Sequence, residues 1–431
     1  MMSIDPVVAA VIVLLVFMFI KVPVFLSLIS AAVTYFILTP NVPQLIVAQR
    51  LLSGMESIPM LAIPFFVCSG IFMNSTGVTK RIMEFCSVLT CRMAGGLAQV
   101  NVLLSTLMGG LSGSSLADAA MEAKMLVPEM EKKGYSKEFS TVVTAASAMI
   151  TPIIPPGLSM VLYGSIASVS IGKIFVAGIG PGLLLCVTLM LMVNWISNKR
   201  GYEVESKNVK RQKGELWAAF KKALLPLFLP VIIIGGIRIG LVTATEAGAL
   251  AVAYSLLLGL LYRELSWQKI IDGLKETVIT TSIIMLIVGA ASAFAWVLTK
   301  EKIPQTLMEF FVATISNKYV FLLVVNVFLL IVGMFVEGNA SLIVLVPLLA
   351  PIAKEYGIDS VQFALTFVFN IGIGCITPPL GTLMFVTCGI TGCKIKNFIR
   401  ECIPFYALAF TCLLLITYVP FFTQFFVNLI Y

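Results

Sequence analysis

Thr151-Pro152-Ile153-Ile154-Pro155-Pro156-Gly157 lies in the middle of a long apolar stretch, where a membrane-spanning helix would be expected to continue. Proline supplies no amide hydrogen and clashes with the preceding turn, at a cost of about 3 kcal/mol in a helix interior. The paired prolines therefore predict a break in the helix. Unwound backbone in hydrocarbon leaves carbonyl groups without partners, which is tolerated only where the break lines a protein or water cavity.

A second stretch of this kind, Thr377-Pro378-Pro379-Leu380-Gly381, lies in the middle of another long apolar segment. A Lys-Ile pair follows each break at a similar distance, at 173–174 and at 394–395. Two features in the same order already suggest that one part of the chain repeats another.

Two acids extend the match. Asp118 stands ten residues before Pro128, and Glu337 stands ten residues before Pro347. Both acids follow a glycine-rich approach. Three correspondences in one order predict that the second half of the chain repeats the first.

The apolar regions 95–130 and 319–353, which contain the two acids, are each interrupted halfway by small and polar residues. Each is predicted to enter the membrane and return on the same side as a re-entrant helical hairpin. An odd number of predicted crossings separates the two hairpins, so they enter from opposite faces. The fold class is therefore an all-α polytopic membrane protein built as an inverted repeat, an architecture that transporters use with the site near the midplane.

Composition agrees with a lipid solvent. Of 431 residues, 59% are hydrophobic and 12% are charged, with a mean hydropathy of +1.03, whereas soluble domains carry about 25% charged residues. Short stretches of mixed polarity at 46–56, 80–93 and 303–316 are predicted to lie along the membrane plane. About ten full crossings are predicted, near 5–20, 22–39, 58–74, 139–170, 174–197, 223–240, 243–262, 277–298, 361–391 and 402–427.

Charge sets the orientation. With both termini in the periplasm, the predicted cytoplasmic segments hold 21 of the 29 Lys and Arg residues, as the positive-inside rule requires. Many of these cations crowd into one loop between the halves, and its membrane flanks argue against nucleic-acid binding. The loop cations are Lys199, Arg200, Lys207, Lys210, Arg211, Lys213, Lys221 and Lys222.

The residue inventory argues against an enzyme. The chain has no histidine, which excludes His-based acid–base catalysis, histidine metal sites and Ser-His-Asp triads. Its nine cysteines form no Cys-x-x-Cys pair, so no transition-metal or disulfide framework is proposed. Glu246 in Thr243-Ala-Thr-Glu246 fits a capping box at a helix start. The sequence leaves open whether Glu122 is functional or merely paired.

Two breaks and two hairpin tips bring hydroxyl, amide and carbonyl oxygens to one depth. Hard oxygen ligands with few carboxylates suit a monovalent cation such as Na⁺, and half-helix N-termini favour a carboxylate substrate. Asp118 and Glu337 could serve the site or simply cap helices. The candidate cation ligands are Ser112, Gly113, Ser114, Ser115, Thr151, Pro152, Pro155, Pro156, Gly157, Glu337, Gly338, Asn339, Thr377 and Pro378, and the candidate substrate contacts are Ser114, Ser115, Asp118, Asn339 and Ala340.

The segments 110–119, 126–130 and 151–157 resemble the large membrane subunit of TRAP transporters, the tripartite ATP-independent periplasmic carriers. Thr243-Ala-Thr-Glu246-Ala-Gly-Ala and 377–381 extend the resemblance into the second half. It covers nearly the whole chain. It implies an elevator carrier of the bacterial inner membrane, driven by Na⁺, that imports sialic acid or a C4-dicarboxylate.

The resemblance also implies partners and further ligands. A periplasmic binding protein would deliver the organic acid, and a small four-helix membrane subunit, expected on a separate chain, would complete the scaffold. By position, Gly374 joins the candidate cation ligands. Many relatives have Asp-Pro-Thr or similar at the second tip, whereas this chain has Glu337-Gly338-Asn339, which puts direct ligation by the longer acid in doubt.

Two other readings remain open, a stand-alone Na⁺/carboxylate symporter without a binding protein, and an ion channel or proton-pump subunit. The predicted domain organisation alternates scaffold and transport units. It comprises scaffold helices and an arm at 1–94, the first transport half at 95–197, a basic loop with scaffold helices at 198–276, a scaffold helix and arm at 277–318, and the second transport half at 319–431.

Overall fold

The computed structural model describes residues 5–20, 22–56, 58–204 and 214–431. Within these ranges the regular structure is helical, with a short 3-10 turn at Ile58–Leu61. The α-helices are α1 Pro6–Phe19, α2 Val24–Leu38, α3 Leu45–Met55, α4 Ala62–Ser75, α5 Val78–Thr90, α6 Gly96–Ser112, α7 Ser115–Lys132, α8 Lys137–Ser147, α9 Leu158–Ala167, α10 Ile171–Arg200, α11 Glu215–Arg238, α12 Ala244–Leu261, α13 Trp267–Lys300, α14 Ile303–Thr314, α15 Lys318–Phe335, α16 Gly338–Glu355, α17 Ser360–Ile376, α18 Thr382–Thr391, α19 Ile395–Tyr418 and α20 Phe421–Ile430.

The predicted all-helical membrane fold is confirmed. In the described ranges, eight helices are long and apolar enough to cross a membrane. They are not eight of the ten predicted crossings, because two of them are α15 and α16, the arms of a hairpin. Conversely, α1 and α2 have only 14 and 15 residues, and the predicted crossings at 139–170, 361–391 and 402–427 are each divided into two helices.

Two hairpins are present. The first consists of α6 and α7, joined at Gly113, whose φ of 63° lies in the left-handed region that glycine adopts without strain. The second consists of α15 and α16, joined at Val336 and Glu337. Each turn is followed by a residue whose side chain caps the second arm, Ser114 in the first hairpin and Glu337 in the second.

The hairpin bases lie at opposite ends of α19. Near its start, Glu401 pairs with Arg200 at 2.7 Å, close to the residues that contact the first base. At its end, Tyr418 donates a hydrogen bond of 3.1 Å to the carbonyl of Tyr319 in the second base. Seventeen helical residues between Glu401 and Tyr418 span about 25 Å. The hairpins therefore enter the fold from opposite faces.

Both interrupted helices are seen. Helix α8 ends at Ser147 and α9 begins at Leu158, and α17 ends at Ile376 before α18 begins at Thr382. The halves pack crosswise, with α7 against α18 and α16 against α9. Each hairpin therefore rests on the broken helix of the other half as well as on its own.

The predicted crossing at 402–427 is wrong in its extent. Helix α19 ends at Tyr418, and the separate helix α20 begins at Phe421 and packs on α10. Pro420 explains the interruption, because a residue before proline is driven out of the helical region, and Val419 is extended.

Two predicted domain boundaries fall inside helices. The boundary between 276 and 277 lies within α13, which starts at Trp267 after the capping residue Ser266, and the boundary between 197 and 198 lies within α10. The first turns of α13 were not predicted, because the polar residues there have a low hydropathy. Of the basic loop, Lys207, Lys210, Arg211 and Lys213 lie outside the described residues.

Candidate functional site

The first tip is tied to the first break through one carboxylate. Ser112 Oγ and Thr151 Oγ1 both donate to Asp118 Oδ2, at 2.6 Å and 3.0 Å. Asp118 is fully buried, and its Oδ1 has no hydrogen-bond partner among the described residues. Asp118 therefore joins the hairpin turn, the second arm and the unwound segment, and it keeps one oxygen for a further ligand.

The first break is packed backbone to backbone. A Cβ on Gly109 would lie 2.8 Å from Thr151 Cα, and one on Gly157 would lie 2.4 Å from the Pro152 carbonyl oxygen. In the described parts of the chain, no donor bonds the carbonyl oxygens of Thr151, Pro152, Pro155 or Pro156. Unpaired carbonyls at the depth of a hydroxyl-rich tip are a donor set suited to a small hard cation.

The second tip uses its acid differently. Glu337 caps α16, and its Oε2 accepts a hydrogen bond of 3.0 Å from the Ala340 N–H. Ser159 of the first half donates to Asn339 Oδ1 at 3.0 Å, so the second tip rests on the helix that follows the first break. The Thr377 hydroxyl donates to the Ile373 carbonyl at 2.7 Å and leaves its lone pairs for a cation.

Backbone approach is also close at the second break. A Cβ on Gly374 would lie 2.6 Å from Gly333 Cα, and the N–H of Leu380 donates to the Met334 carbonyl at 3.2 Å. Gly374, Thr377 and Pro378 thus lie beside the first arm of the second hairpin. In each half, a glycine of the first hairpin arm therefore lets the hairpin approach the backbone at or just before the break.

A cavity of about 930 Å³ runs between the tips and the helices α2, α4 and α13. Ser112, Gly113, Ser114, Asn339 and Ala340 line its deep end, together with Pro156 and Glu337. Its other end is lined by the exposed residues Lys269, Asp272 and Glu276 of α13. The structure thus brings most predicted tip residues to one wall of a single cavity.

A smaller cavity of about 60 Å³ lies between the two tips. Ser115, Pro152, Ser159, Gly338 and Cys375 are among its lining residues. Ser115 and Gly338, predicted as cation ligands, line this small cavity and not the large one. A space of this size holds a few water-sized groups at most.

Comparison with known proteins identifies the family. Residues 11–422 match the family model of the DctM component of tripartite ATP-independent periplasmic transporters. The chain is 39% identical to the sialic acid TRAP transporter large permease protein SiaM of Vibrio cholerae, covering 94% of this chain and 95% of that one. It is 36% identical to the C4-dicarboxylate TRAP transporter large permease protein DctM of Pseudomonas aeruginosa, covering 91% of each.

The chain belongs to the DctM family. The crystal structure of the YdaH transporter of Alcanivorax borkumensis superposes with a TM-score of 0.62 over 86% of each chain at 13% identity, a likeness of fold alone. The DctM-family chain is accordingly a multi-pass subunit of a TRAP transporter and not an enzyme. Such a large permease works with a small membrane subunit and a periplasmic binding protein.

This DctM-family permease also has a polar network in each half that was not predicted from the sequence. Asn101 of α6 donates to Thr144 Oγ1 at 2.6 Å and accepts from Ser147 Oγ at 3.1 Å. In the other half, Asn370 donates to Asn326 Oδ1 at 2.8 Å. One signal was available, because Thr144 and Asn370 each precede the threonine of their break by seven residues.

Two remaining acids have structural partners. The predicted capping box at Thr243 and Glu246 is present at the start of α12. Glu122 is fully buried and accepts a hydrogen bond of 2.7 Å from Ser105 Oγ on the facing arm of the same hairpin. Glu122 therefore braces the first hairpin internally.

Proposed function

We propose that this chain is the large permease of a Na⁺-driven importer of an organic anion, fed by a periplasmic binding protein. The unit that carries the substrate comprises both hairpins and both broken helices, and it moves against α1–α5 and α11–α14. The cavity of about 930 Å³ carries this proposal. One of its walls is made by the tips of both hairpins, and the other is made by α2, α4 and α13.

The position of the cavity also supports one state of the transport cycle. Its polar end lies at the start of α13, beside Asn74 and Ser75 at the end of α4. With the N-terminus in the periplasm, that end faces the cytoplasm. The arrangement then corresponds to the inward-facing state, from which an imported acid leaves.

Cation coupling is supported by the breaks. In the first half, carbonyl oxygens of the break that accept no hydrogen bond from a described residue lie near Ser112, Ser114 and Asp118. Na⁺ bound there would fix the first tip against the first break, and so shape the wall that meets the substrate. Because the same groups would hold the ion and support the anion site, ion binding and substrate binding would favour each other.

Uptake into proteoliposomes, with the purified small subunit and binding protein, tests the proposal. An inward Na⁺ gradient should drive uptake of at least one carboxylate, and replacing Na⁺ with K⁺ should abolish it. Thr377→Val should raise the Na⁺ concentration for half-maximal uptake by about tenfold. Thr411→Val is the matched control, because Thr411 makes the same type of bond, to the Ala407 carbonyl at 2.8 Å, on an exposed face of α19. Uptake that ignores Na⁺ for every acid would disprove the coupling.

A further inference from the structure

The two hairpin tips that face the large cavity differ in charge. The second arm of each hairpin begins at the cavity wall, so both helix N-termini contribute partial positive charge and N–H groups there. At the first tip the capping residue is Ser114, which is neutral, and the acid in the first turn, Asp118, is fully buried, bonded to Ser112 and Thr151, and does not line the cavity. At the second tip it is Glu337, whose carboxylate takes the Ala340 N–H. The chain's own anion thus occupies the N-terminus of α16.

The charged residues that line the cavity are mainly acidic. Among the described residues that line it, the acids are Asp272, Glu276 and Glu337, and the single cation is Lys269. The Lys269 ammonium already donates to the carbonyls of Ser75, at 3.1 Å, and Glu264, at 2.7 Å. It therefore bonds the end of α4 and the loop between α12 and α13, near the mouth of the cavity.

Neutral polar groups make up the rest of the deep end. Ser112, Ser114 and Asn339 contribute hydroxyl and amide groups, and Thr280 adds a hydroxyl from α13. Such groups hydrogen-bond a hydroxyl or an amide of a ligand without requiring a charge on it. A ligand carboxylate placed beside Glu337 would instead meet a like charge in a partly dehydrated site, where repulsion is stronger than in water.

We infer that the cavity selects a monocarboxylate rich in hydroxyl or amide groups, such as a sugar acid, over a dicarboxylate. This inference rests on the proposed function of the same cavity. The carboxylate binds at the first tip, where the N-terminus of α7 carries a neutral cap. The uncharged, hydroxyl-bearing part faces the second tip, where Glu337 and Asn339 accept and donate hydrogen bonds. A volume of about 930 Å³ also accommodates a sugar acid.

The test is direct ligand binding to the permease, purified with its small subunit in nanodiscs with NaCl and without the binding protein, whose own selectivity would mask that of the cavity. The probes are N-acetylneuraminate, succinate, butyrate and the neutral sugar N-acetylmannosamine. The apparent Kd for N-acetylneuraminate should be at least about tenfold lower than for each of the other three. Succinate binding as tightly as N-acetylneuraminate, or more tightly, would overturn the inference.

Charge variants at the second tip sharpen the test. Glu337→Gln should lower the ratio of the succinate Kd to the N-acetylneuraminate Kd by about tenfold. Asn339→Asp, which adds a negative charge, should raise this ratio. Glu309→Gln, an equal charge change on the exposed face of α14, should leave the ratio unchanged. An unchanged ratio in both tip variants would contradict the role assigned to Glu337.

Uptake separates this inference from the proposed function. If a Na⁺ gradient drives succinate uptake in preference to sugar acids, the proposed function holds and the substrate class inferred here is wrong. If no acid binds and none is taken up with Na⁺, the proposed function itself fails.

Discussion

Asp118 and Glu337 stand at corresponding places in the two halves, yet they hold their surroundings in different ways. Asp118 accepts hydroxyl hydrogen bonds from its own hairpin turn and from the first break. Glu337 accepts a backbone N–H of its own helix. The shorter acid therefore links two segments, whereas the longer one completes a single helix. A repeat in sequence conserves the position of the acid without conserving its contacts.

Glycine at 109 sets how closely the first hairpin approaches the first break. A Cβ there would lie 2.8 Å from Thr151 Cα, which is backbone and cannot rotate away. We expect Gly109→Ala to lower the free energy of unfolding by about 1–3 kcal/mol, because the break must shift. It should also weaken Na⁺ binding by displacing the Thr151 carbonyl.

Gly235→Ala is the control for this prediction. Gly235 also lies inside a helix, α11, but a Cβ there would meet nothing within 4 Å. Thermal unfolding in detergent, with and without Na⁺, measures both effects. If the two variants unfold alike, the close packing of the first hairpin on the break does not matter for stability.

At the scale of elements, the base of the first hairpin is fixed to the end of α10 by Glu203. Its carboxylate accepts from Lys133 Nζ and Tyr135 Oη, each at 2.6 Å, and from the Leu97 N–H at 2.8 Å. Burial alone would raise the pKa of Glu203, but these three donors and the Lys133 charge outweigh it, so the pKa is lowered.

The lowered pKa of Glu203 determines how stability depends on pH. A carboxyl whose pKa is lower in the folded state stabilises the protein above its unfolded pKa, and this stabilisation is lost as pH falls through the folded value. We expect wild type to lose more thermal stability than Glu203→Gln as the pH falls below about 4.5. The control is Glu129→Gln, since Glu129 forms an exposed pair with Lys132. Equal pH profiles for wild type and Glu203→Gln would refute this role.

The hydrogen bonds of Asn101 in the first half should contribute to the free energy of unfolding. Asn101→Leu removes one hydrogen bond each from the fully buried Thr144 and Ser147, whose hydroxyls keep only their bonds to the Ser140 and Thr144 carbonyls. Because such bonds average about 0.6 kcal/mol in membrane proteins, the free energy of unfolding should fall by about 1 kcal/mol. Chemical denaturation in mixed micelles measures it. Asn428→Leu, at an exposed position of α20, should change it little.

Local patterns predicted most of the elements and left their ends and partners open. Paired prolines and small polar interruptions indicated both breaks and both hairpins, because these features act on the chain within a few residues. The predicted start of helix α13 was ten residues too late, because charged residues such as Lys269 and Asp272 lower the hydropathy of the part that extends beyond the bilayer. The bond between Asn101 and Thr144 joins residues 43 apart, and no periodicity reports it.

At the scale of the whole molecule, the site exists because two halves exchange contacts. The second tip is held by Ser159 of the first half, α7 packs directly on α18, and Thr141 of α8 donates to Thr391 of α18 at 3.0 Å. The crosswise packing joins the hairpins and breaks into one unit. The scaffold packs largely on itself, for example through α4 and α12, and it also contacts the first hairpin where α4 and α5 meet α6. This division is what the proposed sliding movement requires.

Two glycines of the scaffold distinguish a sliding contact from a permanent one. A Cβ on Gly70 of α4 would lie 2.4 Å from the Ser112 carbonyl oxygen, at the first tip. A Cβ on Gly248 of α12 would lie 2.9 Å from Phe65 Cβ, inside the scaffold.

If the hairpin unit moves, Gly70→Ala only disfavours this one arrangement, so the protein should remain folded while uptake slows by about tenfold. Gly248→Ala should instead lower the melting temperature, because α4 and α12 cannot separate without unfolding the scaffold. Uptake and thermal unfolding are measured on the same preparations. If Gly70→Ala destabilises the fold as much as Gly248→Ala does, the tip and α4 form a fixed interface, and the sliding mechanism is excluded.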